Sequence, residues 1–244
     1  MAILHLPEWF LLGYIGLFLP WAAVRSRSRL RGLESADVEV RHEAEAELPS
    51  RARILSSTLV TLLALALFCW LLAPTWQYDL FGGAPVDATA IVWGVAALSA
   101  QVGLLALSRA LRTPDERRRL LVRRLVPQRP RDWALMLVVI AAAAFAEEAA
   151  YRGLGMLFLG ILTGNAWLSA FLLATAFAVA HAVQGRQSMV IVLAMALVMH
   201  ALVALTGTLV VAMAVHAAYD LGAVVVTAWA MRTEGAAALG ATAA

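Results

Sequence analysis

The chain has 244 residues, of which 62% are hydrophobic and 14% are charged, and its mean hydropathy is +0.80. This composition excludes an ordinary soluble domain and indicates an integral membrane protein. All 19 basic residues are arginines, and 16 of them fall in two segments, residues 25–53 and 109–131. Because basic residues concentrate in cytoplasmic loops, the net charge of +3 reports membrane topology, and we expect no nucleic-acid partner.

Seven apolar runs, each of about 18 residues or more, are long enough to cross a bilayer as helices. They cover residues 6–24, 55–73, 88–107, 133–161, 166–183, 189–206 and 208–231. With an external N-terminus, seven crossings place both arginine-rich segments in the cytoplasm, and the outer residues 74–87 contain no Lys or Arg. The sequence therefore predicts an all-α, polytopic membrane helix bundle of about seven transmembrane helices, with an eighth left open because the fourth run is long.

We predict a single integral membrane domain, residues 1–244, with cytoplasmic polar segments at 25–53 and 108–132. The first run is not expected to be a signal peptide, because its positive charges follow the apolar stretch. Cys69 lies alone in an apolar run and is expected to be a small buried side chain. The all-arginine, alanine-rich composition indicates a high-GC bacterium, so we expect the inner membrane, with the N-terminus outside and the C-terminus in the cytoplasm.

Ionisable side chains interrupt the last four runs. They are Glu147, Glu148, Arg152, His181, His200, His216 and Asp220. A charged side chain near the bilayer centre costs about 2.5 to 3.5 kcal/mol, so this set implies mutual pairing, a water-filled cavity, or both. We interpret His200 as a hydrogen-bonding group between helices, which is the commoner role of a lone intramembrane histidine. The others are too many to be explained by packing, and we interpret them as an active site.

Helical spacing sorts these residues into pairs. Three pairs are spaced i and i+4: Glu148 with Arg152, Phe177 with His181, and His216 with Asp220. The first has the favourable acid-before-base order for an ion pair, and it leaves Glu147, about 100° round the helix, free. In the second an aromatic ring can pack against the imidazole, and in the third the carboxylate can fix the tautomer of the histidine.

The three motifs occur in a fixed order, Glu147-Glu148-x-x-x-Arg152, Phe177-x-x-x-His181 and His216-x-x-x-Asp220. Together they resemble the signature of the CAAX-protease and bacteriocin-processing (CPBP, or Abi) family of intramembrane proteases. Tyr151-Arg152-Gly153 stands where the family usually has Phe-Arg-Gly, and Asp220 takes a position where members have Asn or Asp. The resemblance covers about residues 133–229, which we take as the catalytic CPBP-like core.

The resemblance implies an intramembrane endopeptidase that cleaves a membrane-anchored protein or peptide in the lipid bilayer, near the C-terminus of the substrate or at a leader. It implies that Glu147 and His181 activate a water for attack on the peptide carbonyl, and that His216 and Asp220 stabilise the oxyanion. Glu148, Arg152 and Phe177 are then supporting residues. In the low dielectric of such a site, a donor that is already in place stabilises an oxyanion more strongly than it would in water.

Two alternatives stay open at this point. Glu147, His181 and His216 could bind zinc with an open position, but no HExxH pair lies on one helix. With the glutamate-dependent scheme that the resemblance implies, this leads us to favour hydrolysis without metal or other cofactor. The second alternative is a non-enzymatic membrane immunity or transport protein, although no inverted repeat or paired broken helices support a transporter.

Helical rise gives an expected depth for the site. Measured from the nearest cytoplasmic arginines, Glu147 lies ~24 Å along its helix and His181 only ~8 Å. The fourth run is ~44 Å long, however, against a hydrocarbon core of ~30 Å, so it can slide toward the cytoplasm until the two residues meet. We therefore expect a site that opens to the cytoplasmic half, with residues 117–124 on a surface helix near its mouth.

Overall fold

A computed structural model describes residues 3–30, 37, 39–40, 42, 48–81, 83–113, 116–117 and 122–242. Within these ranges the regular secondary structure is helical, and an isolated antiparallel bridge joins Gly83 to Thr208. The predicted all-α class is therefore confirmed. Part of the predicted polar segment 25–53, and residues 118–121 of the predicted surface helix, lie outside the described residues.

Six helices in the described ranges are long and apolar enough to cross a membrane, and one shorter apolar helix completes the bundle. In chain order they are α1 (Leu6–Ser28), α2 (Arg51–Trp76), α3 (Ala88–Ala110), α4 (Pro130–Thr163), α5 (Ala166–Ala180), α6 (Arg186–Thr206) and α7 (Leu209–Thr242). α1 and α4 contain π-helical segments at Tyr14–Phe18 and Glu148–Leu154, and α2 ends in a 3-10 turn at Ala73–Trp76. One helical turn, Val122–Leu125, precedes α4. Each predicted run is thus helical, and the long fourth run is one helix with a π segment.

α5 is shorter than predicted. Its 15 residues rise only ~22 Å, against ~30 Å for the hydrocarbon core. The helix stops because His181 leaves the helical conformation and a 3-10 turn, Ala182–Gln184, leads to Gly185. Gly185 has a φ of 99°, which a residue without Cβ adopts at little cost.

The arginine-rich segments meet at one end of the bundle. The contacts are Arg51 Nε with the carbonyl of Arg124 (2.9 Å), Arg51 Nη1 with Asp132 (3.2 Å), Arg27 Nη1 with the carbonyl of Ala182 (2.9 Å), and Arg123 with Glu234 (2.7 Å). They join the end of α1, the start of α2, the segment before α4 and its first turn, the turn after α5 and the C-terminal part of α7. We call this end the arginine-rich end. Its composition agrees with the alternating crossings that the sequence predicts.

α4 is the central helix of the bundle. Half of its most apolar window is buried inside the protein, against 22 to 33% for the other five spans. It packs against α2 and α7, and its fully buried residues Ala146, Ala149 and Ala150 allow neighbouring helices to approach closely. The two glutamates and Arg152 therefore lie on the helix that contributes most to the core.

The hairpin of α4 and α5 places Glu147 and His181 at one level. Glu147 lies 16 residues before Thr163, and His181 lies 15 residues after Ala166. These separations correspond to ~24 and ~22 Å, so the two depths agree when they are measured from the hairpin turn. Because α5 ends beside His181 while α4 continues back to Pro130, α4 extends past α5 toward the arginine-rich end, as the depth argument expects.

Candidate active site

The seven residues selected from the sequence line one cavity of about 200 Å³, which we call the site cavity. They are Glu147, Glu148 and Arg152 from α4, Phe177 and His181 from α5 and its end, and His216 and Asp220 from α7. The hairpin of α4 and α5, together with α7, thus brings all the predicted site residues together. His200, which the sequence marks as structural, is not part of the lining.

The two adjacent glutamates have different surroundings. Glu148 is fully buried, and its Oε1 accepts hydrogen bonds from Arg152 Nη1 (3.3 Å) and from His216 Nδ1 (2.7 Å). The Glu147 side chain keeps 19% of its surface exposed, and its Oε2 lies 3.7 Å from His216 Nε2. Among the described residues Glu147 accepts no hydrogen bond. The ion pair that the helical spacing predicts is therefore present, and Glu147 is free of it.

Glu148 and Arg152 lie in the π-helical segment Glu148–Leu154, which Glu147 directly precedes. At its end the N–H of Gly155 donates to the carbonyl of Ala150, five residues back, which inserts one extra residue into the turn. A Cβ at position 155 would lie 2.4 Å from that carbonyl oxygen, so the wide turn requires glycine here. Single π turns within α-helices occur frequently at functional sites.

His216 lies among three carboxylates. Its Nδ1 is bonded to Glu148, and its Nε2 lies 3.7 Å from Glu147 Oε2 and 3.5 Å from Asp220 Oδ2. Because an ionised carboxylate only accepts, Nδ1 carries a proton. Glu148 therefore fixes the ring, whereas the spacing suggested Asp220 for this task. A doubly protonated ring would present Nε2–H between Glu147 and Asp220.

His181 is oriented by the end of its own helix. The backbone N–H of His181 donates to the carbonyl of Ala178. The carbonyl of Phe177 therefore accepts instead from the imidazole Nδ1 of His181, at 2.8 Å. A carbonyl only accepts, so the neutral ring has its lone pair on Nε2, the nitrogen that a proton acceptor needs.

Phe177 connects the first two motifs. Its ring centre lies 4.5 Å from the ring of His181 and 4.7 Å from Arg152 Cζ, and the ring of Tyr151 packs edge-on at 5.0 Å. The Tyr151 hydroxyl in turn donates to the carbonyl of Ile15 in α1 at 3.3 Å. A cation over an aromatic face is stabilised most where water is excluded, as it is around Arg152.

Two further cavities adjoin the site. The lateral cavity, about 380 Å³, lies between α1 and α2, and both Glu147 and His181 border it. The vestibule, about 360 Å³, lies between α3, α4, α6 and α7, and it shares Gln184 and Asp220 with the site cavity. It extends toward the arginine-rich end, where Arg112 lines it. The predicted site residues are therefore bordered by open space on two sides.

Three polar side chains of the site cavity, Gln101, Gln184 and Tyr219, were not predicted from the sequence. Gln101 of α3 is buried there, with Nε2 2.9 Å from Met199 Sδ, and Tyr219 of α7 borders both the site cavity and the vestibule. The signal for Gln101 in the sequence is a single amide inside an apolar run. Tyr219 gives no comparable signal, because aromatic residues are common in membrane helices.

The zinc alternative requires Glu147, His181 and His216 to converge on one point. Among the described residues, no group of three or more His, Cys, Asp or Glu side chains is spaced to hold a metal ion. His216 directs Nδ1 at Glu148, which leaves only Nε2 toward the other two residues. As placed, these three side chains are not spaced as a metal-ligand set.

Residues 129–222 match the family described as type II CAAX prenyl endopeptidase Rce1-like. The matched segment contains all seven predicted site residues, and α1 to α3 lie before it. The resemblance predicted from the three motifs is thereby confirmed. The chain has no significant match among curated proteins or solved structures.

Proposed function

We propose that this chain, whose residues 129–222 form an Rce1-like domain of the CPBP family, is an intramembrane endopeptidase acting on a membrane-associated protein or peptide. The contrast between the adjacent glutamates carries the proposal. Glu148 is occupied by Arg152 and His216, whereas Glu147 faces the site cavity without a hydrogen bond from any described residue. A carboxylate in that position can bind a water and accept its proton.

In the proposed reaction Glu147 and His181 Nε2 hold the attacking water. Glu147 accepts a proton as the water oxygen bonds to the peptide carbonyl carbon, and it then returns that proton to the leaving amine. His216, in its doubly protonated form, donates Nε2–H to the oxyanion, and Asp220 orients this donor from one turn away. Glu148 keeps His216 in place and is itself held by Arg152, whose guanidinium packs on Phe177.

The test is Glu147→Gln, followed by measuring cleavage of a membrane-anchored substrate. Candidate substrates come from comparing the termini of membrane and secreted proteins between a deletion strain and its parent. We expect turnover to fall by at least about 100-fold while thermal unfolding is unchanged, because the amide cannot accept the proton. Asp79→Asn removes a carboxylate at the opposite end of the bundle and should keep full activity. Unchanged processing in Glu147→Gln would refute the mechanism, and transport coupled to a proton gradient would support the non-enzymatic alternative.

A separate measurement addresses metal dependence. We propose hydrolysis without metal, so purified active protein should contain no stoichiometric zinc, and a chelator should leave turnover unchanged. Chelator inhibition that zinc reverses would instead favour a site at Glu147, His181 and His216. Full activity of a demonstrably metal-free sample would eliminate the zinc scheme.

A further inference from the structure

His181 lies where the hydrogen bonding of its helix no longer fixes the backbone. α5 ends at Ala180, and the residues after His181 form a 3-10 turn, Ala182–Gln184. The turn that joins α5 to α4 lies at the other end of α5, ~22 Å away. The position of His181 relative to Glu147 on α4 therefore depends on contacts from other helices.

Arg27, in the last turn of α1, supplies such a contact. Its Nη1 donates to the carbonyl of Ala182, the residue next to His181, at 2.9 Å, a distance typical of a hydrogen bond from a charged donor. The same carbonyl accepts from the N–H of Gly185, which closes the 3-10 turn. Because Ala182 is buried, water competes little for this carbonyl. The guanidinium thus holds the backbone directly after His181.

α1 is also joined to α4, through its π-helical segment. There the N–H of Leu19 donates to the carbonyl of Tyr14, five residues back. The next carbonyl, that of Ile15, would pair in the same register with Pro20, which has no N–H. The Tyr151 hydroxyl of α4 donates to this carbonyl at 3.3 Å. A phenylalanine, which the family usually has in place of Tyr151, could not make this bond.

The two contacts make α1 a link between the two sides of the active site. Ile15 and Arg27 are 12 residues apart, or ~18 Å along α1. At the first contact α1 is bonded to Tyr151, one helical turn after Glu147, and at the second it is bonded to the residue after His181. The separation of Glu147 and His181 is therefore set in part by a helix that contributes neither of them.

We propose that Arg27 is a positioning residue of the active site, which acts through the carbonyl of Ala182 to hold His181 where it and Glu147 contact the same water. The inference rests on the proposed peptidase function, and it extends the functional part of the chain to α1, which lies before the matched residues 129–222. Arg27 lines neither the site cavity, the lateral cavity nor the vestibule, so it has no part in binding the substrate.

The first test measures steady-state cleavage of the membrane-anchored substrate by the full chain in phosphatidylcholine nanodiscs. In Arg27→Gln we expect kcat to fall by about 10- to 100-fold, because a catalytic group displaced by about 1 Å can cost up to about 100-fold. KM should stay within about twofold of the wild-type value, since no substrate contact is removed. Arg27→Lys keeps a charged donor and should lose less kcat than Arg27→Gln.

Arg25→Gln is the matched control. It removes the same charge two residues earlier in α1, where the guanidinium lies over the Trp21 ring, 5.5 Å from its centre. Because this guanidinium makes no contact with the turn after His181, Arg25→Gln should keep the wild-type kcat. Thermal unfolding of each variant gives the folded fraction at the assay temperature, by which kcat is corrected.

The second test observes the His181 ring without any substrate. The chain is labelled with ¹⁵N-histidine, and the His181 signals are assigned by their absence in His181→Gln. The bond from Nδ1 to the carbonyl of Phe177 selects the tautomer with the proton on Nδ1. We expect NMR spectra to show this tautomer in the wild type and in Arg25→Gln, and a mixture of both tautomers in Arg27→Gln.

The two measurements separate failure of this inference from failure of the peptidase function. Wild-type kcat and tautomer in Arg27→Gln, or an equal loss in Arg25→Gln, would overturn the positioning role. A kcat loss that the folded fraction explains, with the tautomer unchanged, would show a purely structural role and would also overturn it. A tautomer mixture confined to Arg27→Gln, in a chain whose wild type cleaves nothing, would support the positioning role and contradict the peptidase function alone.

Discussion

Glu147 and Glu148 are adjacent in the sequence, but successive residues of a helix point in different directions. The two carboxylates therefore have different neighbours, and we expect them to have different roles. Glu148 points to Arg152 on its own helix and to His216 on α7, and its side chain is fully buried. Glu147 points into the site cavity. A buried carboxylate that accepts two hydrogen bonds stabilises the structure, whereas a carboxylate without hydrogen-bond donors can accept a hydrogen bond from a water.

Glu148→Gln should therefore destabilise the protein, unlike Glu147→Gln. Removing one partner of a buried ion pair leaves the other charge uncompensated, which typically costs about 3 to 5 kcal/mol. Thermal unfolding in detergent, followed by tryptophan fluorescence, should show a clear decrease in Tm together with loss of turnover. The double variant Glu148→Leu with Arg152→Met should recover part of the lost stability but no activity. A Glu148→Gln protein as stable as wild type would show that the ion pair contributes nothing.

The three histidines within or beside the last helices should also separate by function. His181 and His216 line the site cavity, whereas His200 is buried elsewhere, and its Nε2 has no hydrogen-bond partner among the described residues. His200→Met keeps a similar volume, so it should retain at least half of the wild-type turnover and change stability by less than about 1.5 kcal/mol. His181→Gln and His216→Gln should each lose turnover by about 100-fold or more. A comparable loss in His200→Met would assign His200 to the catalytic machinery.

At the scale of the helix, the feature that spacing rules cannot foresee is the π segment of α4. Spacing of i and i+4 predicts the ion pair of Glu148 and Arg152 because both residues lie within one turn. The extra residue at Glu148–Leu154 depends on how α4 packs against its neighbours. In the sequence, only Gly155 indicates that the helix could widen at this point. The bond from His216 to Glu148 likewise joins two helices, so no local rule supplies it.

Gly155→Ala should destabilise the protein, although a glycine-to-alanine change in a helix is usually stabilising. Alanine normally stabilises a helix by up to about 1 kcal/mol relative to glycine. At position 155, however, the new Cβ would lie 2.4 Å from the carbonyl of Ala150, so the π turn must shift. We expect a decrease in Tm and a loss of turnover. Gly160→Ala, where nothing lies within 4 Å of the new Cβ, is the control and should be neutral or stabilising.

For the whole molecule, composition and charge predict most of the architecture. The length of each apolar run and the positions of the arginines depend on the bilayer, and they can be read without knowing any tertiary contact. That Glu147 and His181 lie at the same depth was harder to predict. Arginine boundaries gave discordant depths, since α4 extends past α5, whereas counting from the turn between α4 and α5 gives matching levels. The vestibule and Arg112 depend on which helices are neighbours, and a single sequence does not show that.

Because α5 is short, the membrane topology depends on whether α5 crosses the bilayer. Its 15 residues rise only ~22 Å, so it crosses the core only with help from the turn that follows, which Arg27 holds at the arginine-rich end. Single cysteines can test this, because the native Cys69 is fully buried and should not react with a membrane-impermeant maleimide. With an external N-terminus, Val86→Cys and Ala166→Cys should be labelled in intact cells. Thr113→Cys and Arg186→Cys should be labelled only after permeabilisation, since arginine-rich segments stay in the cytoplasm. Labelling of positions 166 and 186 from the same side would show that α5 does not cross, and the reverse pattern at all four positions would invert the orientation.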